Sequence, residues 1–134
     1  MEYLKFKDYY NENTPYLKLL GIVLEDVGEG FSVGRMVTDG LGNLNETVHG
    51  GAIFSFADSI CGAAAKSMGS ATTTLEGKIN YISPGNLGGG DLICSAKVVH
   101  CGRKTVVVQC DISQEERLVA TCLFTMFRFD RPAM

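Results

Sequence analysis

The spacing of apolar residues changes along this chain, and each change marks an element. Leu4, Phe6, Tyr9 and Tyr10, then Leu17, Leu19 and Leu20, fall at helical spacing. Asn13, Thr14 and Pro15 interrupt them. Thr14 and Pro15 read as the N-cap and first-turn proline of a second short helix ending at Gly21. Ile22 to Asp26 and Phe31 to Thr38 read as strands around the turn Gly28-Glu29-Gly30. In the second strand Phe31, Val33 and Val37 share a face, with Arg35 among them. Asp39 to His49 holds turn formers without a clean period, which predicts a loop.

Gly50-Gly51 then opens the one long apolar stretch, Ala52 to Met68. It is rich in alanine and free of proline, which favours a helix enclosed by other elements over a strand. Strand periods fill the rest. Thr73, Leu75, Ile79 and Tyr81 alternate with polar residues between Thr72 and Ser83. Leu92, Cys94, Ala96 and Val98 share a face between Asp91 and His100, and Val106, Val108, Cys110 and Ile112 do so between Thr105 and Ser113. Leu118 to Phe129 is a long strand, apolar on both faces in its middle. Short turns join the last three strands, so an antiparallel meander is expected. The pattern predicts an α+β domain, one buried helix against an antiparallel sheet of five or six strands.

Composition adds limits rather than detail. A chain of 134 residues, 46% apolar and 20% charged, predicts a single folded domain over 1–134. A net charge of −3 gives no general reason to bind nucleic acid. No stretch reaches the roughly 20 apolar residues of a membrane span. Cys61, Cys94, Cys101, Cys110 and Cys122 form no C-x-x-C pair, and with only two histidines no metal-type spacing exists. The first residues lack the basic-then-apolar run of a signal peptide, so a reducing cytoplasm is the expected location.

Asp58 stands out chemically, as the only charged side chain between Glu46 and Lys66. Phe54, Ser55, Cys61 and Gly62 are its helical neighbours, all small or apolar. A carboxylate there must be paired, solvated by a cavity, or raised in pKa, and a raised carboxylate pKa in a cleft is a common state of a catalytic base. A structural Asp that hydrogen-bonds a loop is the plainer alternative. His49-Gly50-Gly51 at the start of the same helix is the second feature. First-turn N–H groups lack internal partners, and glycine lets a carbonyl oxygen come close to them. Eight residues separate Gly50 from Asp58, about 12 Å along a helix. One carbonyl cannot sit about 3 Å from both. If both act in one site, they come from two copies of the chain packed about a two-fold axis.

The segment Asn43-Leu44-Asn45-Glu46-Thr47-Val48-His49-Gly50-Gly51, followed by Asp58, resembles the signature of the hotdog-fold acyl-CoA thioesterases of the phenylacetate-pathway (PaaI-like) family. Tyr81-Ile82-Ser83-Pro84 and Gly102-Arg103-Lys104-Thr105 continue the resemblance, which covers essentially the whole chain in element order. It implies a hotdog fold, an antiparallel sheet wrapped around one long central helix, and hydrolysis of aryl-acetyl, aromatic or medium-chain acyl-CoA. It casts Asp58 as general base or nucleophile and the Gly50 backbone N–H as the group that polarises the thioester carbonyl. Asn43 would orient carbonyl or water, with Asn45 as fallback, and His49 would shape the loop and touch substrate. Thr74, or its neighbours Thr72 and Thr73, would place the water. Gly51, Phe54 and Tyr81 would contact substrate, with Ile53 and Met68 lining the pocket, and Arg103 and Lys104 would meet the coenzyme A phosphates. The resemblance further implies an obligate homodimer that pairs into a tetramer, no metal, and no cofactor beyond the coenzyme A of the substrate. One departure stands out: the family often has Gly where this chain has Glu46, so a positive φ there would strain the loop.

Two other functions fit the same fold. A hotdog dehydratase or hydratase pairs its histidine with a carboxylate at longer spacing, and here the position fourteen residues after His49 is Ala63. A non-catalytic acyl-CoA binding module would have little use for Asp58. Of the remaining features, Gly88-Gly89-Gly90 precedes a strand and is a turn rather than a phosphate loop. Cys94 and Cys110 are expected in the core, Cys61 near the pocket, His100 at the surface, and Gln114-Glu115-Glu116-Arg117 at a solvated hairpin tip.

Overall fold

The apolar run from Gly50 to Lys66 forms one helix, with ten residues buried along it, and the rest of the chain is arranged around that helix. The computed structural model describes residues 1–134. The elements are α1 (Tyr3–Asn13), α2 (Pro15–Leu20), β1 (Ile22–Gly28), β2 (Phe31–Met36), α3 (Gly50–Lys66), β3 (Ser70–Tyr81), β4 (Leu92–Cys101), β5 (Thr105–Gln114) and β6 (Arg117–Pro132). The strands form one antiparallel sheet in the order β1-β2-β4-β5-β6-β3. The expected meander is β4-β5-β6, and β3, which follows the helix, lies at an open edge. The buried apolar residues form a single cluster. No helix is long and apolar enough to cross a membrane.

The two short helices end where the sequence places them. Gly21 adopts the left-handed conformation (φ 72°) and its N–H closes α2 on the Leu17 and Lys18 carbonyls. Thr14 stands at the N-cap position, but its side chain makes no capping hydrogen bond. Strands β4 and β5 turn the expected residues inward: Leu92, Cys94 and Ala96, then Val106, Val108, Cys110 and Ile112, are buried.

Strand β2 faces the other way from its apolar pattern. Ser32 and Met36 are buried, whereas Phe31 and Val37 are exposed. Cross-strand register explains this, because Ser32, Gly34 and Met36 pair with Ala96, Cys94 and Leu92 and so share their inner face. Helix α3 lies so close there that a Cβ on Gly34 would overlap Ile60. Ser32 fits because its hydroxyl donates to the Ile60 carbonyl at 2.6 Å.

The β5–β6 hairpin also corrects the expectation of a solvated tip. Gln114 is fully buried. Its amide accepts from the Asn86 N–H and donates to the Asn86 and Gly90 carbonyls, which latches the loop after β3 to the sheet. Arg117 adds hydrogen bonds to Ser83 and the Pro84 carbonyl. Only Glu115 and Glu116 form the turn, and both have positive φ, 51° and 66°. A two-residue hairpin turn of this kind favours glycine. Glu116→Gly should raise stability by about 0.5–1 kcal/mol, read as a higher melting temperature; an unchanged or lower one would show that Glu116 is unstrained.

Candidate active site

Asp58 lies midway along α3, half-buried in a cavity of about 230 Å³. Its Oδ1 accepts a hydrogen bond from the Thr74 hydroxyl at 2.6 Å. No cation stands within ion-pairing distance, since the only salt bridges are those of Arg35 with Glu25 and Asp91. Cavity and hydroxyl therefore solvate the carboxylate, as one of the three possibilities required. Thr72 and Thr73 line the same cavity, but Thr74 is the one that bonds Asp58. With its single proton directed to Asp58, the Thr74 hydroxyl has only lone pairs to offer a water.

A bulge in β3 makes this placement possible. Thr74 and Tyr81 are seven residues apart, so a regular strand would send them to opposite faces. The register shifts between Thr74 and Glu76 and reverses the phase. Thr74 then pairs with buried Met126, and Tyr81 with buried Ala120, both toward the helix.

The other end of α3 is built for a different task. His49 is the N-cap, and its Nδ1 accepts from the Gly51 N–H at 2.8 Å. That fixes the histidine's proton on Nε2 and uses up the Gly51 N–H. His49 thus orders the helix start, and Gly51 has no N–H left for substrate. The Gly50 N–H makes no backbone hydrogen bond, so it is the free donor. Tyr81 donates its hydroxyl to the Gly50 carbonyl at 2.7 Å and pins this turn to β3.

Asn43 joins Gly50, Ile53 and Tyr81 in lining a second cavity of about 340 Å³. Its side chain is committed to the loop: Oδ1 accepts from the Asn45 and Thr47 N–H groups and Nδ2 donates to the Thr47 hydroxyl. Asn45 does not line the cavity. Glu46 closes this loop at φ 61°, the strained position anticipated from the missing glycine.

The two cavities have no lining residue in common. Asp58 opens into one and the Gly50 N–H into the other, on the same side of β3. Phe54 packs on Phe124 (ring centroids 5.3 Å apart) and lines neither. Met68 lies at the far end of α3, its sulfur toward Gly30, and also lines neither. Arg103 and Lys104 border a separate hollow of about 490 Å³ with Ser70, Phe127, Arg128 and Phe129. Arg128 is tied there to the Gly102 and Met68 carbonyls and to Ser70.

Several contributors to the Asp58 cavity lie beyond the sequence expectations, Tyr10, Tyr16 and Lys66 among them. Tyr10 and Tyr16 reach it from α1 and α2, with Tyr10 donating to the Ser59 carbonyl and Tyr16 hydrogen-bonded to Ser55. These contacts span 49 and 39 residues, beyond any local signal. Lys66 was legible: Asp58, Gly62 and Lys66 recur at intervals of four, one stripe of a helix. Cys61, expected near this pocket, is instead fully buried. Its thiol is pushed up by hydrogen bonding to Cys110 and by burial, which leaves it unreactive. No group of three or more His, Cys, Asp or Glu is arranged to hold a metal ion.

Comparison with known proteins adds to this geometry. Residues 45–121 match the model of the thioesterase superfamily. The acyl-coenzyme A thioesterase PaaI of Escherichia coli K12 is 36% identical over 111 residues, covering 81% of this chain and 79% of that protein. The structure of E. coli PaaI, from the phenylacetic acid degradation operon, superposes with a TM-score of 0.90, 30% identity, and coverage of 96% and 94%. The Streptococcus mutans protein smu.793, solved bound to acetyl-CoA, superposes with a TM-score of 0.78 at 32% identity, covering 82% of this chain and 90% of that one. The helix-wrapping sheet, the Asp58 carboxylate and the free N–H of Gly50 thus sit in a chain that belongs to the thioesterase superfamily, a hotdog-fold thioester hydrolase.

Proposed function

We propose that this protein hydrolyses acyl-CoA thioesters in a site assembled from two copies of the chain. The observation that carries this reading is the division of labour along α3. Asp58 and the free Gly50 N–H occupy separate cavities about 12 Å apart, yet acyl transfer needs both at one carbonyl. A two-fold axis resolves the conflict. Strand β3 offers twelve residues of unpaired edge, with Leu75 59% and Tyr81 51% exposed. Antiparallel pairing of two such edges, centred between Gly77 and Lys78, sets Thr74 of one copy against Tyr81 of the other. Each Asp58 cavity then meets a Gly50 cavity.

In that dimer the thioester carbonyl accepts the Gly50 N–H of one copy beside Asp58 of the other. Asp58 takes a proton from water, and the oxygen adds to the carbonyl carbon. Charge develops on the carbonyl oxygen, where the N–H and the positive end of α3 stabilise it. The intermediate collapses by breaking the C–S bond, releasing the acid and the coenzyme A thiolate, which takes up the proton. Direct attack by Asp58, through a mixed anhydride that water then opens, uses the same two groups. Either route needs no metal and no cofactor beyond the coenzyme A of the substrate.

The E. coli relative is named as an acyl-CoA thioesterase and the S. mutans relative binds acetyl-CoA, which supports coenzyme A as the carrier here. Arg103 and Lys104, beside the Phe127 and Phe129 rings, offer charge to its phosphates. The acyl group is aryl-acetyl, aromatic or medium-chain.

The test is release of free thiol from a panel of acyl-CoAs. Thiol release from at least one member supports the reading, whereas binding of coenzyme A esters without release would make this a binding module. Thr74→Val removes the hydroxyl that fixes the carboxylate and should lower kcat about tenfold with little change in KM; a change confined to KM would show that Thr74 serves binding instead.

A further inference from the structure

The Asp58 cavity holds a second charged group that hydrolysis does not use. Lys66 lies two turns beyond Asp58 on the same stripe of α3, and its ammonium reaches into the cavity. Helical side chains lean toward the N-terminus, and Lys66 leans back over Gly62: its Nζ is 3.7 Å from where a Gly62 Cβ would be. The missing side chain at Gly62 keeps open the path between ammonium and carboxylate. Nζ donates only to the Thr72 carbonyl and hydroxyl, at 3.3 and 3.2 Å, and sits 5.9 Å from the centre of the Tyr10 ring. An ammonium has three donors, no carboxylate stands within 4 Å of it, and both ion pairs of the chain belong to Arg35. Burial holds its pKa below the usual lysine range, an effect that Asp58 partly offsets.

A half-buried cation without an ionic partner is costly unless something anionic completes it. We propose that Lys66 recognises a carboxylate at the far end of the acyl group, so that among aliphatic acyl groups the preferred substrates are coenzyme A monothioesters of dicarboxylic acids of about six carbons. This rests on the thioesterase reading above. With the thioester carbonyl at Asp58, the Lys66 ammonium lies about one helical turn further, ~6 Å, the reach of an acyl chain of about four to six carbons. The wall supports the same chemistry: Thr14, Ser59 and Thr73 supply polar groups, and a purely alkyl chain would leave them without partners. Tyr10, Thr14, Tyr16 and Leu17 lie outside the segment that matches the superfamily model. The N-terminal helices and Lys66 thus close the acyl end of the cavity together.

The experiment compares adipyl-CoA with hexanoyl-CoA, equal in chain length and differing in the terminal carboxylate. Wild type should favour adipyl-CoA by tenfold or more in kcat/KM, and Lys66→Met should bring that ratio to one or below. A ratio of two substrates on one sample is independent of the fraction folded, so partial misfolding of the variant does not disturb it. Lys66→Arg keeps the charge and should keep the preference. Cleavage of hexanoyl-CoA by wild type at an equal or higher kcat/KM overturns the inference and leaves the thioesterase reading standing. A preference that survives in Lys66→Met also overturns it. Cleavage of phenylacetyl-CoA with neither aliphatic ester cleaved overturns the inference alone, and no thiol release from any acyl-CoA overturns both.

Discussion

Asp58→Asn is expected to lower kcat by about 10²–10⁴-fold, the range for loss of a positioned general base, while KM for an acyl-CoA stays within a few-fold. The amide keeps what the structure uses Asp58 for. Its oxygen still accepts the Thr74 hydroxyl, its shape is the same, and no cation loses a partner because none is paired with Asp58. What it loses is the ability to take a proton from water or to attack a carbonyl carbon. Asp58→Ala is a poorer probe, because it leaves the Thr74 donor without its acceptor and confuses chemistry with stability. Thiol release under saturating substrate, with melting temperature and molecular mass measured alongside, checks the expectation. A variant that retains more than a tenth of wild-type kcat would remove Asp58 from the chemistry and reduce it to a structural carboxylate.

Most of the architecture was legible because burial and period agree over most of the chain. In β5, Val106, Val108, Cys110 and Ile112 alternate and all are buried, so pattern and environment coincide. In β2 they conflict. Gly34 is an inner residue where Ile60 of the helix leaves no room for a Cβ, and Ser32 beside it donates to the Ile60 carbonyl 28 residues away, contacts that no local window contains. Gln114 was missed for the opposite reason. Its polarity suggested solvent, but a buried amide is stable when all its groups are bonded, and its partners at Asn86 and Gly90 become neighbours only through the hairpin. The loop strain at Glu46 was readable, since glycine is the residue that a left-handed turn prefers. The site followed the same division. Asp58, Gly50 and their mismatch in distance stand out on one helix, whereas the choice of Thr74 among three threonines waited on a bulge that alternation cannot show.

Two individually inactive variants are expected to restore each other. Gly50→Pro deletes the one N–H that the site is proposed to use and little else. Proline is well tolerated at the first helical position, where the N–H has no helical partner. His49 before it, at φ −59° and ψ 132°, already has the extended conformation that a following proline requires. The Tyr81 hydroxyl must shift slightly, being 3.3 Å from a Cβ there. Loss of one oxyanion donor should cost about 10²–10³ in kcat. When Gly50→Pro and Asp58→Asn chains are co-expressed, about half of the dimers contain one of each. In those, the Asp58 of the first chain meets the intact Gly50 of the second, and the remaining site carries both defects. Activity should therefore return to about half of wild type per dimer, measured as thiol release after tandem-tag purification of the mixed species. If each site were complete within one chain, both sites of a mixed dimer would be defective and the mixture would be as inactive as its parents. Recovery thus requires that Gly50 and Asp58 act on one carbonyl from different copies, the arrangement proposed from their separation along α3.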